Sequence, residues 1–119
     1  MKLLISMLLS FSVVLATFAQ KDKQSKNADR SETTFEVWGN CNMCKKTIEK
    51  AARIEGVKSA VWNKGTHKMH VIYHNSVTSP EKVQQAVAKS GYDTELYYGD
   101  EESYKNLHTC CQYKRKPKS

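Results

Sequence analysis

Between residues 33 and 98 the apolar side chains switch back and forth between a spacing of two and a spacing of about 3.6. The order of those switches restricts the fold more than any other feature of the chain. In Thr33-Thr34-Phe35-Glu36-Val37-Trp38, Phe35 and Val37 alternate with polar neighbours, the pattern of a half-buried strand. Gly39-Asn40 breaks it. Asn42 is placed to cap a helix that carries Cys44, Ile48, Ala51 and Ala52 on one side, and Glu55-Gly56 stops that helix. Residues 57–63 read as a second strand, and Lys64-Gly65-Thr66 as a turn. Met69, Val71 and Tyr73 then alternate with His70, Ile72 and His74 in a third strand. A second helix starts either at Thr78, which forms a capping box with Glu81, or at Ser79 before Pro80. Its buried stripe is Val83, Ala86, Val87 and Ser90, and Gly91 ends it. Residues 93–98 give a last short strand. This order predicts an α+β fold, a ferredoxin-like βαββαβ sandwich whose four-stranded antiparallel sheet carries both helices on one face.

The ends of the chain divide from this unit by composition. Met1-Lys2 precedes seventeen residues of apolar character, 3–19, that finish in Thr17-Phe18-Ala19. That is the pattern of a secretory signal peptide over residues 1–19, with small residues at −3 and −1 of a cleavage point before Gln20. Its serine and threonine content and its cleavage-like end argue against a retained membrane anchor. No Cys follows the run to carry a lipid. Export, to a periplasm or beyond, is therefore expected. Residues 20–31 are polar without a hydrophobic period and read as a flexible lead-in. The folded domain is expected over 32–98. Residues 99–119 form a basic tail holding Cys110 and Cys111, with a short helix within 100–108 and a disordered end.

Charge bears on partners. The 119 residues carry a formal +7, but 20–31, 32–99 and 100–119 each contribute only +2, so the excess lies in the flanks. No helix shows a basic stripe interleaved with aromatics, which argues against nucleic acid as a partner. With 39% hydrophobic and 26% charged residues, the composition is that of a folded domain.

The cysteines carry the chemistry. Cys41 and Cys44 stand two residues apart, and Cys110 and Cys111 are adjacent. A disulfide within either pair would close almost no loop, and adjacent cysteines bridge only with strain. Close pairs suit metal ligation or redox exchange. In Gly39-Asn40-Cys41-Asn42-Met43-Cys44 the two sulfurs converge at a strand–helix junction, with Lys45 and Lys46 adding positive potential. Soft thiolates select Cu(I), Hg(II), Zn(II) or Cd(II) over hard ions. The other reading of the same residues is an exported thiol–disulfide oxidoreductase. The predicted element order is not that of thioredoxin, and Asn42-Met43 lacks the Gly-Pro or Pro-His chemistry usual between such cysteines. No GxSxG, HExxH or phosphate-cradling glycine loop is present, and the chain reads as a binding protein rather than an enzyme.

These residues, with Ile48-Glu49-Lys50-Ala51, Gly56-Val57, Val71-Ile72-Tyr73 and Gly91-Tyr92, resemble the heavy-metal-associated (HMA) domain family over about residues 32–98. The family includes copper chaperones, soluble domains of copper ATPases and periplasmic mercury-binding proteins. The resemblance implies a metallochaperone that binds one soft ion, Cu(I) in preference to Hg(II), through Cys41 and Cys44. It implies a metal-donor or metal-acceptor protein as partner, such as a copper-transporting ATPase or an efflux component. It also implies that Tyr92 sits beside the metal. Asn40 stands where the family has Met, and Lys64 where it has a leucine-like residue.

His108, Cys110 and Cys111 are the candidate additional ligands, one of the two cysteines being favoured as a third. For that the tail must fold back across the Cys41 end, a docking expected when metal binds. Asn40, Met43, Lys45 and Tyr92 are the residues expected around the ion. His70 and His74 lie too far apart along a strand, roughly 13 Å, to share one ion. Trp38 and Trp62 read as packing residues.

Overall fold

The computed structural model describes residues 29–118; the segment read as a signal peptide and most of the one read as a lead-in lie outside the described residues. Strands β1 (Arg30–Glu36), β2 (Val57–Trp62) and β3 (Lys68–His74) form an antiparallel sheet in the order β1-β3-β2. Helices α1 (Asn42–Ala52) and α2 (Pro80–Lys89) pack on it, and α3 (Glu101–Lys105) precedes a short 3-10 turn at Thr109–Cys111. Among the described residues no helix is long and apolar enough to cross a membrane.

Alternation places the core as expected. Phe35 and Trp62 both pair with Met69, and Ala60 pairs with Val71. This lines up one buried row across three strands. Ile48 and Ala52 of α1 and Val83 and Val87 of α2 close over that row, all four fully buried. Ile48, Val83 and Val87 each contribute about 1.5–3 kcal/mol by leaving water, and the Ala52 methyl less. Strand β1 starts at Arg30, inside the segment read as a lead-in, because Arg30 and Ser31 pair with His74 and Tyr73 of β3.

Local starts and stops differ in detail from the sequence reading. Cys41, not Asn42, is the N-cap of α1: it is extended, and its carbonyl accepts from Lys45 N at 3.1 Å. Of the two candidate starts for α2, Ser79 is the cap; its hydroxyl accepts from Lys82 N, with Pro80 in the first turn. The buried stripe of α2 is Val83, Gln84, Val87 and Ala88, so Ala86 and Ser90 lie at its margin.

The expected fourth strand is not there. Residues 93–98 make one isolated bridge, Val37 with Thr94. The chain then turns back, with Thr94 N donating to Tyr97 O at 2.7 Å and Tyr97 N donating to the Thr94 hydroxyl at 3.0 Å. A threonine side chain that satisfies nearby backbone groups competes with a sheet ladder, and here it wins.

The basic end is ordered rather than disordered. Tyr113 is buried, stacks on Tyr92 at 5.4 Å between centroids, and meets Tyr104 edge-on at 5.1 Å. Its hydroxyl donates to Gly91 O and accepts from Asp93 N, both at 2.7 Å. Arg115 forms a two-pronged pair with the fully buried Asp93. These contacts hold the tail against the domain through side chains other than the cysteines.

Candidate metal centre

The loop between β1 and α1 lies against Trp62. A Cβ on Gly39 would stand 3.0 Å from Ile48 Cδ1 and 3.1 Å from the Trp62 ring, so glycine lets the backbone pass here without pushing either side chain aside. Trp62 is itself fixed, because its indole N–H donates to Val37 O at 2.9 Å. The strand β2 thus supplies the floor under the loop carrying Cys41. From there α1 begins, and its first turn brings Cys44 to the same side, with the two sulfurs 3.4 Å apart.

The tail supplies the rest. The 3-10 turn is closed by Cys111 N donating to His108 O at 2.7 Å. It sets Cys111 Sγ 3.4 Å and Cys110 Sγ 3.8 Å from Cys41 Sγ. All four cysteines are free thiols. The ligand atoms of Cys41, Cys44 and Cys111 lie within 4.8 Å of one another; Cys44 and Cys111 are buried and Cys41 partly so. Cys110 is exposed and touches the Met43 thioether at 3.7 Å. His108 contributes its backbone carbonyl to the turn, and its imidazole is not part of the three-ligand group.

The other sequence-picked residues divide. Asn40 Oδ1 is 3.7 Å from Cys44 Sγ, beside the thiols. Tyr92 is fully buried, and its hydroxyl has no hydrogen-bond partner. Burial, and then the nearby Cys44 and Cys111 thiols, push the Tyr92 pKa up, so it stands over the cluster as a neutral O–H donor. Lys45 is committed elsewhere: its ammonium donates to Glu49 at 2.6 Å and to Trp62 O at 2.7 Å. His70 and His74 pair separately with Glu32 and Asp29 on the sheet. Sequence reasoning missed Asp93, Tyr113 and Arg115, which aim the tail. Their separation in sequence hid the relation, although a tyrosine two residues past Cys111 was a visible apolar anchor.

The thiols are not equivalent. Burial alone would raise the Cys41 pKa. The Cys44 backbone N–H and the Cys44, Cys111 and Cys110 thiols more than reverse this, bringing it to about 7. Cys111 is pushed far up, first by burial and then by the neighbouring sulfurs. A readily ionised Cys41 beside a protonated Cys111 is a site that gains a ligand by releasing a proton when a soft cation arrives.

Buried thiols converging on one point, at the helix-forming edge of an antiparallel sheet, define a protein that binds soft metal ions. The heavy-metal-associated domain matches residues 40–93. The CopZ metallochaperone is similar at 32% identity and a TM-score of 0.52, with 54% of this chain and 98% of that one covered. The N-terminal domain of a potential copper-translocating P-type ATPase from Bacillus subtilis, in its Cu(I)-loaded state, is similar at 32% identity and a TM-score of 0.53, covering 56% and 86%. Oxidized MerP from Ralstonia metallidurans CH34 is similar at 29% identity and a TM-score of 0.52, covering 56% and 94%. None of the curated proteins matches the chain. The chain belongs to the heavy-metal-associated domain family, with its ferredoxin-like pairing of two helices and an antiparallel sheet. Family and thiol cluster together point to soft-metal binding of the chaperone kind, in a family of generally non-enzymatic proteins.

Proposed function

We propose that this protein is an exported Cu(I) carrier that holds its ion on Cys41 and Cys44 and passes it on by thiolate exchange, with Cys111 as a third ligand. The observation that carries the reading is the convergence of those three sulfurs within 4.8 Å. With a metal–sulfur bond of about 2.3 Å, a linear two-sulfur ion needs sulfurs about 4.6 Å apart and a planar three-sulfur ion about 4.0 Å. The separations from Cys41, 3.4 Å to both Cys44 and Cys111, lie nearer the second arrangement. Cu(I) accepts soft thiolates in such low coordination. A partner thiolate can then attack while one protein sulfur leaves, copper staying in its +1 state and each displaced thiolate taking a proton.

Similarity to a metallochaperone and to an ATPase domain supports a partner that donates or accepts Cu(I). The signal-like residues 1–19 support export. Competition titration of the reduced protein with Cu(I) and Hg(II), under exclusion of oxygen, tests the metal. Tight uptake of Cu(I) that is lost in Cys41→Ser/Cys44→Ser is expected. Full affinity in that double variant, or clear preference for Hg(II), sinks the Cu(I) reading. N-terminal sequencing of protein recovered outside the cytoplasm tests export, with Gln20 as the expected first residue.

A further inference from the structure

Five soft atoms meet at this edge, more than one three-coordinate ion can use. Cys41 is the hub: its sulfur lies 3.4 Å from Cys44, 3.4 Å from Cys111 and 3.8 Å from Cys110. Cys44 and Cys111 lie on the buried side of that hub. On the open side Cys110 stands 3.7 Å from Met43 Sδ, and both side chains are exposed. The two come from unrelated places, the first turn of α1 and the 3-10 turn of the tail, which the Asp93–Arg115 pair and the Tyr113 stack hold in position. A large thioether left 46% exposed beside a free thiol is costly surface for packing and well suited to a soft ion.

We propose that Cys110 and Met43 form an outer Cu(I) position that shares the Cys41 sulfur with the inner one, so that the chain takes a second Cu(I). This rests on the Cu(I) reading of the inner thiols. Thiolate sulfur has lone pairs enough to bridge two soft cations. Cys111 also lies 3.9 Å from Cys110 but is buried, so Cys41, partly exposed and 3.8 Å from Cys110, is the sulfur placed to bridge the two positions. Loading the outer position forms a bond from copper to Cys110 sulfur, whose proton leaves to solvent. Met43 contributes a neutral lone pair and Cys41 a second one, and copper remains Cu(I) throughout. Because the outer ligands face solvent, this second ion is the more weakly held and the first to leave. It is also the ion a docking partner's thiolate would meet.

The test is titration of the reduced full chain with Cu(I) against a competing chelator, without oxygen, in wild type, Cys110→Ser and Met43→Leu. Both substitutions are at exposed positions, and circular dichroism checks that each variant keeps its fold. Two equivalents are expected in wild type. The second should weaken at least tenfold in either variant, while the first stays within about threefold. X-ray absorption at the copper edge should show a copper neighbour at two equivalents in wild type and none in the variants. Uptake that stops at one equivalent in wild type, or a second equivalent indifferent to both substitutions, overturns the outer site. Absence of even the first equivalent overturns the Cu(I) reading of the inner thiols instead.

Discussion

Arg115 holds Asp93 with two nitrogens, Nη2 at 2.6 Å from Oδ1 and Nε at 3.1 Å from Oδ2. The carboxylate is fully buried, and it also accepts from Gly99 N and Lys116 N. Arg115 Nη2 further donates to Gly99 O at 2.8 Å, and its guanidinium lies 4.7 Å from the centre of the Tyr104 ring. One ion pair therefore fastens the end of the chain beneath the segment that carries Tyr92.

Arg115→Ala should leave that carboxylate buried without its cation. Removing one partner of a buried pair costs about 3 kcal/mol, and a urea melt should show a loss of that order. The same variant should release Cu(I) about tenfold faster, because Cys111 rides on the freed segment. A destabilised protein with an unchanged Cu(I) off-rate would show that the tail does not govern the third thiol.

The same pair sets a pH dependence. Burial would raise the Asp93 pKa. Arg115, with the Gly99 and Lys116 N–H groups, more than offsets this and holds it below the ordinary 3.8. A carboxyl lowered on folding adds stability that is complete above its unfolded pKa and fades as pH falls through the folded one. Denaturant midpoints should therefore hold down to about pH 4 and drop in more acid solution. Asp93→Asn should be weaker at neutral pH and lose most of that acid step.

Alkylation should separate the cysteines. With its pKa near 7, Cys41 should react with iodoacetamide at half its limiting rate near neutrality, while Cys111, raised far above it, stays unreactive. For stability the sign follows from the lowered Cys41 pKa. Its contribution is present above the ordinary thiol value of 9.0 and lost as pH falls through about 7. Peptide mapping after labelling at successive pH values checks the order. Equal labelling of Cys41 and Cys111 at neutral pH would contradict it.

Tyr92→Phe should move two quantities in opposite directions. Its buried hydroxyl lacks a partner, and such a group costs about 1–3 kcal/mol, so the metal-free variant should melt higher. The wild-type hydroxyl lies beside Cys44 and Cys111 and can donate to a metal-bound thiolate, so the variant should bind Cu(I) severalfold more weakly. Melting curves and competition titrations on the same preparations read both effects.

How far the sequence reached depended on the range of the interactions. Strands β1 and β3 were legible because Phe35, Met69, Val71 and Tyr73 obey a spacing that needs only near neighbours. Ser79 and Pro80 marked the start of α2 through chemistry confined to one turn. The fourth strand failed because residues 93–98 also alternate, while their Asp93 and Thr94 side chains take up nearby backbone N–H groups and bend the chain. Cys41 and Cys44 stood out by spacing. Which of Cys110 and Cys111 would face them did not, since that depends on the hand of a three-residue turn. The order of the basic tail was hidden for a like reason. Lys114-Arg115-Lys116 reads as solvated charge until a buried carboxylate 22 residues earlier is known to lie beneath it.

Cys41 and Cys111 are 70 positions apart along the chain, yet their sulfurs touch. An ion bonded to both acts as a cross-link across almost the whole domain. Closing a loop of that length removes about 4 kcal/mol worth of freedom from the unfolded chain, on the same reasoning that applies to a disulfide. The cargo is then also a rivet. On the proposed carrier function, each delivery would leave behind a protein that is easier to unfold and to digest, so proteases could distinguish a loaded molecule from a spent one with no receptor to tell them apart.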